Sequence, residues 1–224
     1  YIENKSEFLK SQLVHERIKF VDNVEFYESI KLKILNASHS ALAYLGLLLG
    51  HKYVHEAIGD ELCYNFINNY LDREVIPTIQ QQDNFDLIQY KKDVLKRFRN
   101  HFLNHKLEQI GMDGSLKLPI RIINTFKNKD ENTEYVYTYI IIACWILFLK
   151  QNNIKKFNYA VSDPMFGDLF NIVNNEKNIV DKIINLKNIF DLSEKYKTIL
   201  KINVKIQLNS IETLNFKNFL SQLN

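Results

Sequence analysis

The stretch KLKILNASHSALAYLGLLLG, residues 31–50, decides how the rest of the chain reads. Leu32, Ile34, Leu35, Ala41, Leu42, Tyr44, Leu45, Leu47 and Leu48 are dense enough to predict a largely buried helix, stopped by Gly50. Inside that run sit an amine, an amide and an imidazole: Lys31, Asn36 and His39. At ~100° per residue they point to roughly 0°, 140° and 80°, so the three share one flank of the helix. Buried polar groups need partners, and that flank must face either a cavity or a hydrogen-bond network. Spacing alone also fits a solvated lysine, a backbone-bonded amide and a core histidine.

Upstream, IKFVD (18–22) is short, β-branched and aromatic, as a strand would be. Asp22 or Asn23 can cap the helix that follows, whose first turn carries Glu25 and Glu28 at the positive end of its dipole. Downstream, a short helix at Val54–Ile58 leads into one over Asp60–Glu74, which ends before Pro77. The polar QQQDNFD (80–86) is a loop, and Leu87, Tyr90, Val94, Leu95 and Phe98 mark the next helix, ending near Asn100. The segment 101–111 has no clear periodicity. Asp113, Gly114 and Ser115 form a turn in which Ser115 caps a helix from 116 to about 127. A charged loop, NKDENTE, precedes a core helix over 133–151, and Pro164 suits the first turn of another. The remainder is helical and rich in Asn, Lys and Ile.

Composition agrees with long helices and short polar loops. The chain has 224 residues, 46% of them hydrophobic, with only 6 Gly and 3 Pro. A net charge of +3, from 29 basic and 26 acidic residues, is too even to mark a nucleic-acid surface. The apolar run at 139–150 is shorter than the ~20 residues needed to span a bilayer, which predicts a core helix and no membrane partner. Cys63 and Cys144 lie in apolar helical sequence, which favours reduced, buried thiols in a cytoplasmic protein. The opening YIENKSEFLK has no signal-peptide pattern and reads as a chain entered part-way through a fold.

Other candidates have bland readings. His51 and His55 stand four apart beside Glu56, yet no third ligand follows, so they are surface or packing residues and no metal is expected. KRFRN (96–100) is architectural, with Asn100 the best candidate for a buried hydrogen bond. Tyr135, Tyr137, Tyr139, Trp145 and Phe148 belong to the core or a subunit interface. There is no internal repeat and no glycine fingerprint for a nucleotide.

Three motifs in register, the Val24–Gly50 stretch, KRFRN, and HKLEQIGMDGSLKLPIR (105–121), resemble the C-terminal helical domain of the mannitol dehydrogenase family. The likeness covers roughly the first 125 residues. It implies a mainly α, multi-helical substrate domain like the C-terminal domain of 6-phosphogluconate dehydrogenase, over 24–224. Residues 1–23 would then be the end of a truncated cofactor domain or a linker. In this family a preceding Rossmann domain binds NAD or NADP, so the cofactor-binding residues and that domain itself are expected outside the chain.

The family's Lys, four residues, Asn, two residues, His is met by Lys31, Asn36 and His39. The resemblance makes Lys31 the general acid/base, Asn36 half of an oxyanion hole, and His39 the holder of a neighbouring hydroxyl. An apolar, closed site would desolvate Lys31. Lys117 matches a substrate-contacting lysine, whereas Gln109 stands where mannitol-oxidising members tend to have arginine. The motif is closer to the fructuronate reductases and mannonate oxidoreductases, and Lys117 with Arg121 near a helix N-terminus would receive a hexuronate carboxylate. The expected activity is therefore NAD-dependent interconversion of a secondary alcohol and a ketone on a hexuronate. Mannitol 2-dehydrogenase chemistry is the alternative, and a non-catalytic helical binding module is the alternative of another class. The expected partners are a small sugar acid or polyol and the Rossmann domain, in a monomer or dimer.

Overall fold

The computed structural model describes residues 1–3, 5, 10–11, 15, 18–81, 85–128, 133–153, 162–175 and 177–223. Parts of YIENKSEFLK, QQQDNFD and NKDENTE lie outside the described residues. Strands β1 (Ile2–Glu3) and β2 (Phe20–Val21) pair in parallel, so the strand expected at 18–22 forms over two residues.

Helix α1 (Glu25–Leu49) is the long element expected from the sequence. Asn23 Oδ1 accepts from the Glu25 N–H at 2.8 Å, which makes Asn23 rather than Asp22 the capping residue. At the other end Gly50 adopts φ 91°, and the His51 N–H reaches back to the Gly46 carbonyl at 2.8 Å. That is a Schellman closure, and it requires the left-handed conformation that glycine takes without strain. By length and apolar character α1 would suffice to cross a bilayer, but most of it is buried inside the fold, so it packs as a core helix.

One feature of α1 departs from the sequence reading. Lys31–Asn36 is π-helical, so the ~100° per residue assumed for the polar trio does not hold there. Among the described residues two further π turns occur, Leu71–Val75 at the end of α3 (Glu61–Tyr70) and Pro119–Ile123 after α6 (Gly114–Leu118). Pro119 has no N–H to give and its ring crowds the preceding turn, which accounts for the loosened register at that point. The Lys31–Asn36 turn packs against both of the others.

Between these lie α2 (Val54–Gly59), α4 (Leu87–Phe98) and α5 (Leu107–Gly111). The segment without periodicity resolves into a 3-10 turn, His101–Leu103, followed by α5. Asn100 is exposed and caps that turn, its Oδ1 accepting from Phe102 N–H at 3.1 Å, so it does not form the buried hydrogen bond expected of it. Helix α6 begins at Gly114, and Ser115 is not its cap. The Ser115 N–H instead donates to Asp163 Oδ2 at 2.9 Å, across 48 residues of sequence.

The C-terminal part comprises α7 (Asn124–Lys127), α8 (Val136–Asn153), α9 (Phe166–Asn175), α10 (Ile179–Ile184), α11 (Glu194–Leu214) and α12 (Phe216–Ser221). Helix α8 is the hub, packing on α1, α3, α9 and α11. Its aromatic residues Tyr137, Tyr139, Trp145 and Phe148, with Tyr135 just before it, are buried in this chain's own core. The amino end of α8 is closed by Glu74 from the Leu71–Val75 π turn, which accepts from the Tyr137 and Thr138 N–H groups. Cys63 and Cys144 are buried free thiols, and burial pushes the Cys63 thiol up to about 12.

Candidate active site

The π turn gives the trio its geometry. An i→i+5 turn brings residues five apart closer to one face, so Lys31 and Asn36 sit nearer each other around the axis than the ~140° of an α-helix. His39 follows Asn36 by three residues in the α-helical part that begins at Ala37, a spacing that returns to the same side. Lys31 is exposed and Asn36 half-buried, and neither side chain has a hydrogen bond to the described residues. The desolvation expected for Lys31 is therefore not supplied by this chain. Its neighbour Lys33 is the lysine that is half-buried, with Nζ donating to the Thr78 carbonyl at 3.0 Å and its pKa lowered by desolvation.

His39 is held flat against Phe98 of α4, ring centroids 4.3 Å apart and planes 16° from parallel. Its Nε2 is buried without a hydrogen-bond partner. Burial, followed by the neighbouring His105, Arg121 and Arg97, pushes its pKa down to about 4, so the imidazole is neutral near pH 7. A neutral ring with one free nitrogen can accept from, or donate to, a substrate hydroxyl.

Lys117 and Arg121 approach from α6 and the turn that continues it. Arg121 Nη1 donates to Ser40 Oγ at 3.0 Å, its Nε is buried without a partner, and it lies within electrostatic reach of His39. Lys117 Nζ donates to the carbonyls of Met112 at 2.7 Å and Ile110 at 3.2 Å, with Asp113 Oδ2 at 3.6 Å. The helix start beside them already holds a carboxylate, because Asp163 accepts from Ser115 and Met165 N–H groups. Gln109 is exposed on α5 and has no polar contact with the described residues. The structure thus sets Arg121 on Ser40 and within electrostatic reach of both His39 and Lys117, places Lys31 and Asn36 on the adjoining turn, and leaves Gln109 apart.

Sequence reasoning missed the side of the site beyond His39. There His39, His55, Arg97, Asn100 and His105 line a shallow pocket whose enclosed space, about 10 Å³, takes about one water-sized group. The signal was present in KRFRN, which ends in polar side chains just where the helix stops. His51 is occupied elsewhere, Nε2 lying 3.2 Å from Asp60 Oδ2, and among the described residues no three His, Cys, Asp or Glu side chains are grouped to hold a metal.

The family model for the mannitol dehydrogenase C-terminal domain matches residues 23–210. The chain belongs to the mannitol dehydrogenase family. Among similar proteins, the mannitol 2-dehydrogenase of Pyricularia oryzae is 32% identical over 153 residues, covering 68% of this chain and 30% of that protein. The D-arabinitol 4-dehydrogenase of Klebsiella pneumoniae is 30% identical over 151 residues, covering 67% and 33%. The Pseudomonas fluorescens mannitol 2-dehydrogenase, solved as a ternary complex with NAD and D-mannitol, superposes with a TM-score of 0.84 at 28% identity. That likeness covers 92% of this chain and 42% of the other, and the chain spans about a third of the curated relatives' length. The helical fold expected from the sequence is thus the family's C-terminal fold.

Proposed function

We propose that this chain is the substrate half of an NAD-dependent oxidoreductase that interconverts a secondary alcohol and a ketone on a hexuronate such as mannonate and fructuronate. The observation that carries this reading is the π turn, which brings Lys31 and Asn36 closer to one face one helical step before an unpartnered His39 nitrogen. Family membership supports oxidoreductase chemistry on a polyol-like substrate.

In the oxidation direction, Lys31 Nζ takes the hydroxyl proton as the C–H hydride leaves, and the product is the ketone. The Asn36 amide donates to the oxygen as negative charge develops on it, and the neutral His39 ring orients the adjacent hydroxyl. Lys117 and Arg121 border the sugar chain. Bound NAD supplies the hydride acceptor. The glycine-rich turn that cradles a dinucleotide pyrophosphate, and with it the choice between NAD and NADP, belongs in this reading to a Rossmann domain of the family. Exposure of Lys31 supports this division, since a domain packed over it would provide the desolvation that this chain does not. The buried free thiols support a cytoplasmic setting.

Mannitol 2-dehydrogenase chemistry is the second reading, favoured by the P. fluorescens complex with D-mannitol. The test is an assay of NADH oxidation with fructuronate and with fructose, by a protein in which a Rossmann domain of this family precedes the chain. Turnover of fructuronate is expected, and a faster reaction with fructose selects the second reading. Absence of both reactions, in a protein shown to bind NADH, removes the enzyme reading and leaves a helical binding module.

A further inference from the structure

We infer that the pocket beside His39 is an anion subsite, in which Arg97, assisted by N–H donors of Asn100, His55 and His105, receives the carboxylate of an acidic sugar. This deepens the hexuronate reading and rests on it.

Five polar side chains line the pocket, and none is a carboxylate. Arg97 has no ion pair or hydrogen bond with the described residues, so its guanidinium is available for a planar, two-point contact with a carboxylate. Asn100 has its carbonyl oxygen engaged by Phe102 N–H, which leaves its amide hydrogens to donate. The backbone that carries His105 is pinned, its carbonyl accepting from Val54 N–H at 3.0 Å. Glu56 interacts electrostatically with His55 but turns to its own helix start, accepting from Lys52 and Tyr53 N–H at 2.8 and 3.0 Å. Arg121 and Arg97 lie near His39, and among the residues that line the pocket no acidic group balances them. An anion in this pocket would supply the charge that the two guanidiniums lack, while His39 Nε2 remains for the substrate hydroxyl.

The other basic pair on the site is less able to do this. The Lys117 ammonium already serves the carbonyls of Ile110 and Met112, Arg121 serves Ser40, and the Asp163 carboxylate occupies the helix start beside them. An incoming carboxylate there would displace existing bonds and meet Asp163. In the pocket it meets only donors.

The test uses this chain and its Arg97→Gln variant, a change at an exposed position whose folding is checked by the melting curve. Binding of D-mannonate, D-mannitol and inorganic phosphate is followed through the His39 ring resonances. Mannonate should bind more tightly than mannitol and raise the His39 pKa, and Arg97→Gln should weaken mannonate by about tenfold while leaving mannitol unchanged. Equal affinity for the two sugars, no mannonate binding, or an Arg97→Gln effect under about twofold on mannonate overturns the proposal. Phosphate binding tighter than mannonate, and lost in Arg97→Gln, overturns the carboxylate in favour of a phosphorylated sugar. In the protein with a Rossmann domain, an unchanged fructuronate KM for Arg97→Gln removes the subsite and leaves the dehydrogenase standing. Loss of mannonate binding by the variant, together with no turnover by the parent, keeps the subsite and removes the dehydrogenase.

Discussion

Glu74 closes the amino end of the core helix through Thr138, whose N–H and hydroxyl both donate to Oε2, at 2.8 and 2.7 Å. The Tyr137 N–H completes the arrangement by donating to Oε1 at 2.6 Å. A carboxylate from 64 residues away thus does for α8 what a local serine or aspartate does for most helices. It is only 1% exposed, so the donors it serves have no access to water if it is removed.

Replacing Glu74 with Ala should therefore cost about 2–4 kcal/mol of stability, since buried helix-end donors lose their acceptor. Urea unfolding checks this, and Glu74→Gln, which keeps an acceptor oxygen, should cost less.

Glu74 and His39 act on stability in opposite directions as pH changes. Burial raises Glu74 from 4.5 to about 7, so its contribution is fully present below about 4.5 and is lost as pH rises through 7. Burial lowers His39 from 6.5 to about 4, so its contribution is present above 6.5 and is lost as pH falls through 4. Between about 4.5 and 6.5 the two slopes cancel. Melting temperatures of Glu74→Gln should rise with pH across that window, and those of His39→Asn should fall. Parallel, unchanged profiles in both variants would contradict the assignment.

Gly46 marks the closest approach of α1 to its neighbours. A Cβ there would lie 2.7 Å from Leu107 Cδ1 and 2.8 Å from Ala57 Cβ, and the alanine methyl cannot rotate away. Gly46→Ala should destabilise the fold by about 1–3 kcal/mol through overpacking, despite alanine's better helix propensity. Thermal unfolding decides between those two effects.

Lys117 holds the end of α5 through the Ile110 and Met112 carbonyls. Lys117→Met should lower stability by about 1 kcal/mol, because the bonds are charge-assisted but partly exposed. In the protein with a Rossmann domain it should also raise the KM for fructuronate. An unchanged KM would make the residue structural alone.

Lys31 is exposed, so Lys31→Met should leave the melting temperature of this chain unchanged. In the protein with a Rossmann domain it should lower kcat by ~10²–10⁴, the range expected for loss of a general acid/base. A retained kcat would transfer that role to another group, with Lys33 the first to examine.

The helices were legible wherever apolar periodicity and terminal signals coincide. Gly50 and the run before it located the end of α1, and the aromatic α8 was visible as a core element. The π turn was not, because a single chain carries no periodicity for one extra residue in a helix whose apolar positions are this dense. Glu74 had a signal that went unread: it falls on the apolar face set by Ile67, Tyr70 and Leu71, where a carboxylate must find buried donors. Asp163 had none, since its partner Ser115 lies 48 residues away. The lysine, amide and imidazole were found by motif, whereas the Arg97 and His105 side of the pocket depends on how α4 meets the turn after it.

The loosened turn at Lys31–Asn36 makes residue number between those side chains a structural quantity. Removing one residue from it would let the segment close to ordinary α-helix with the turns on either side in nearly the same register, the amine and the amide becoming an i,i+4 pair. Ile30, now 1% exposed, would keep its place in the core. The stretch can therefore shed a residue without repacking the helix, whereas a deletion in the α-helical part that follows would turn everything upstream by roughly 100° about the axis.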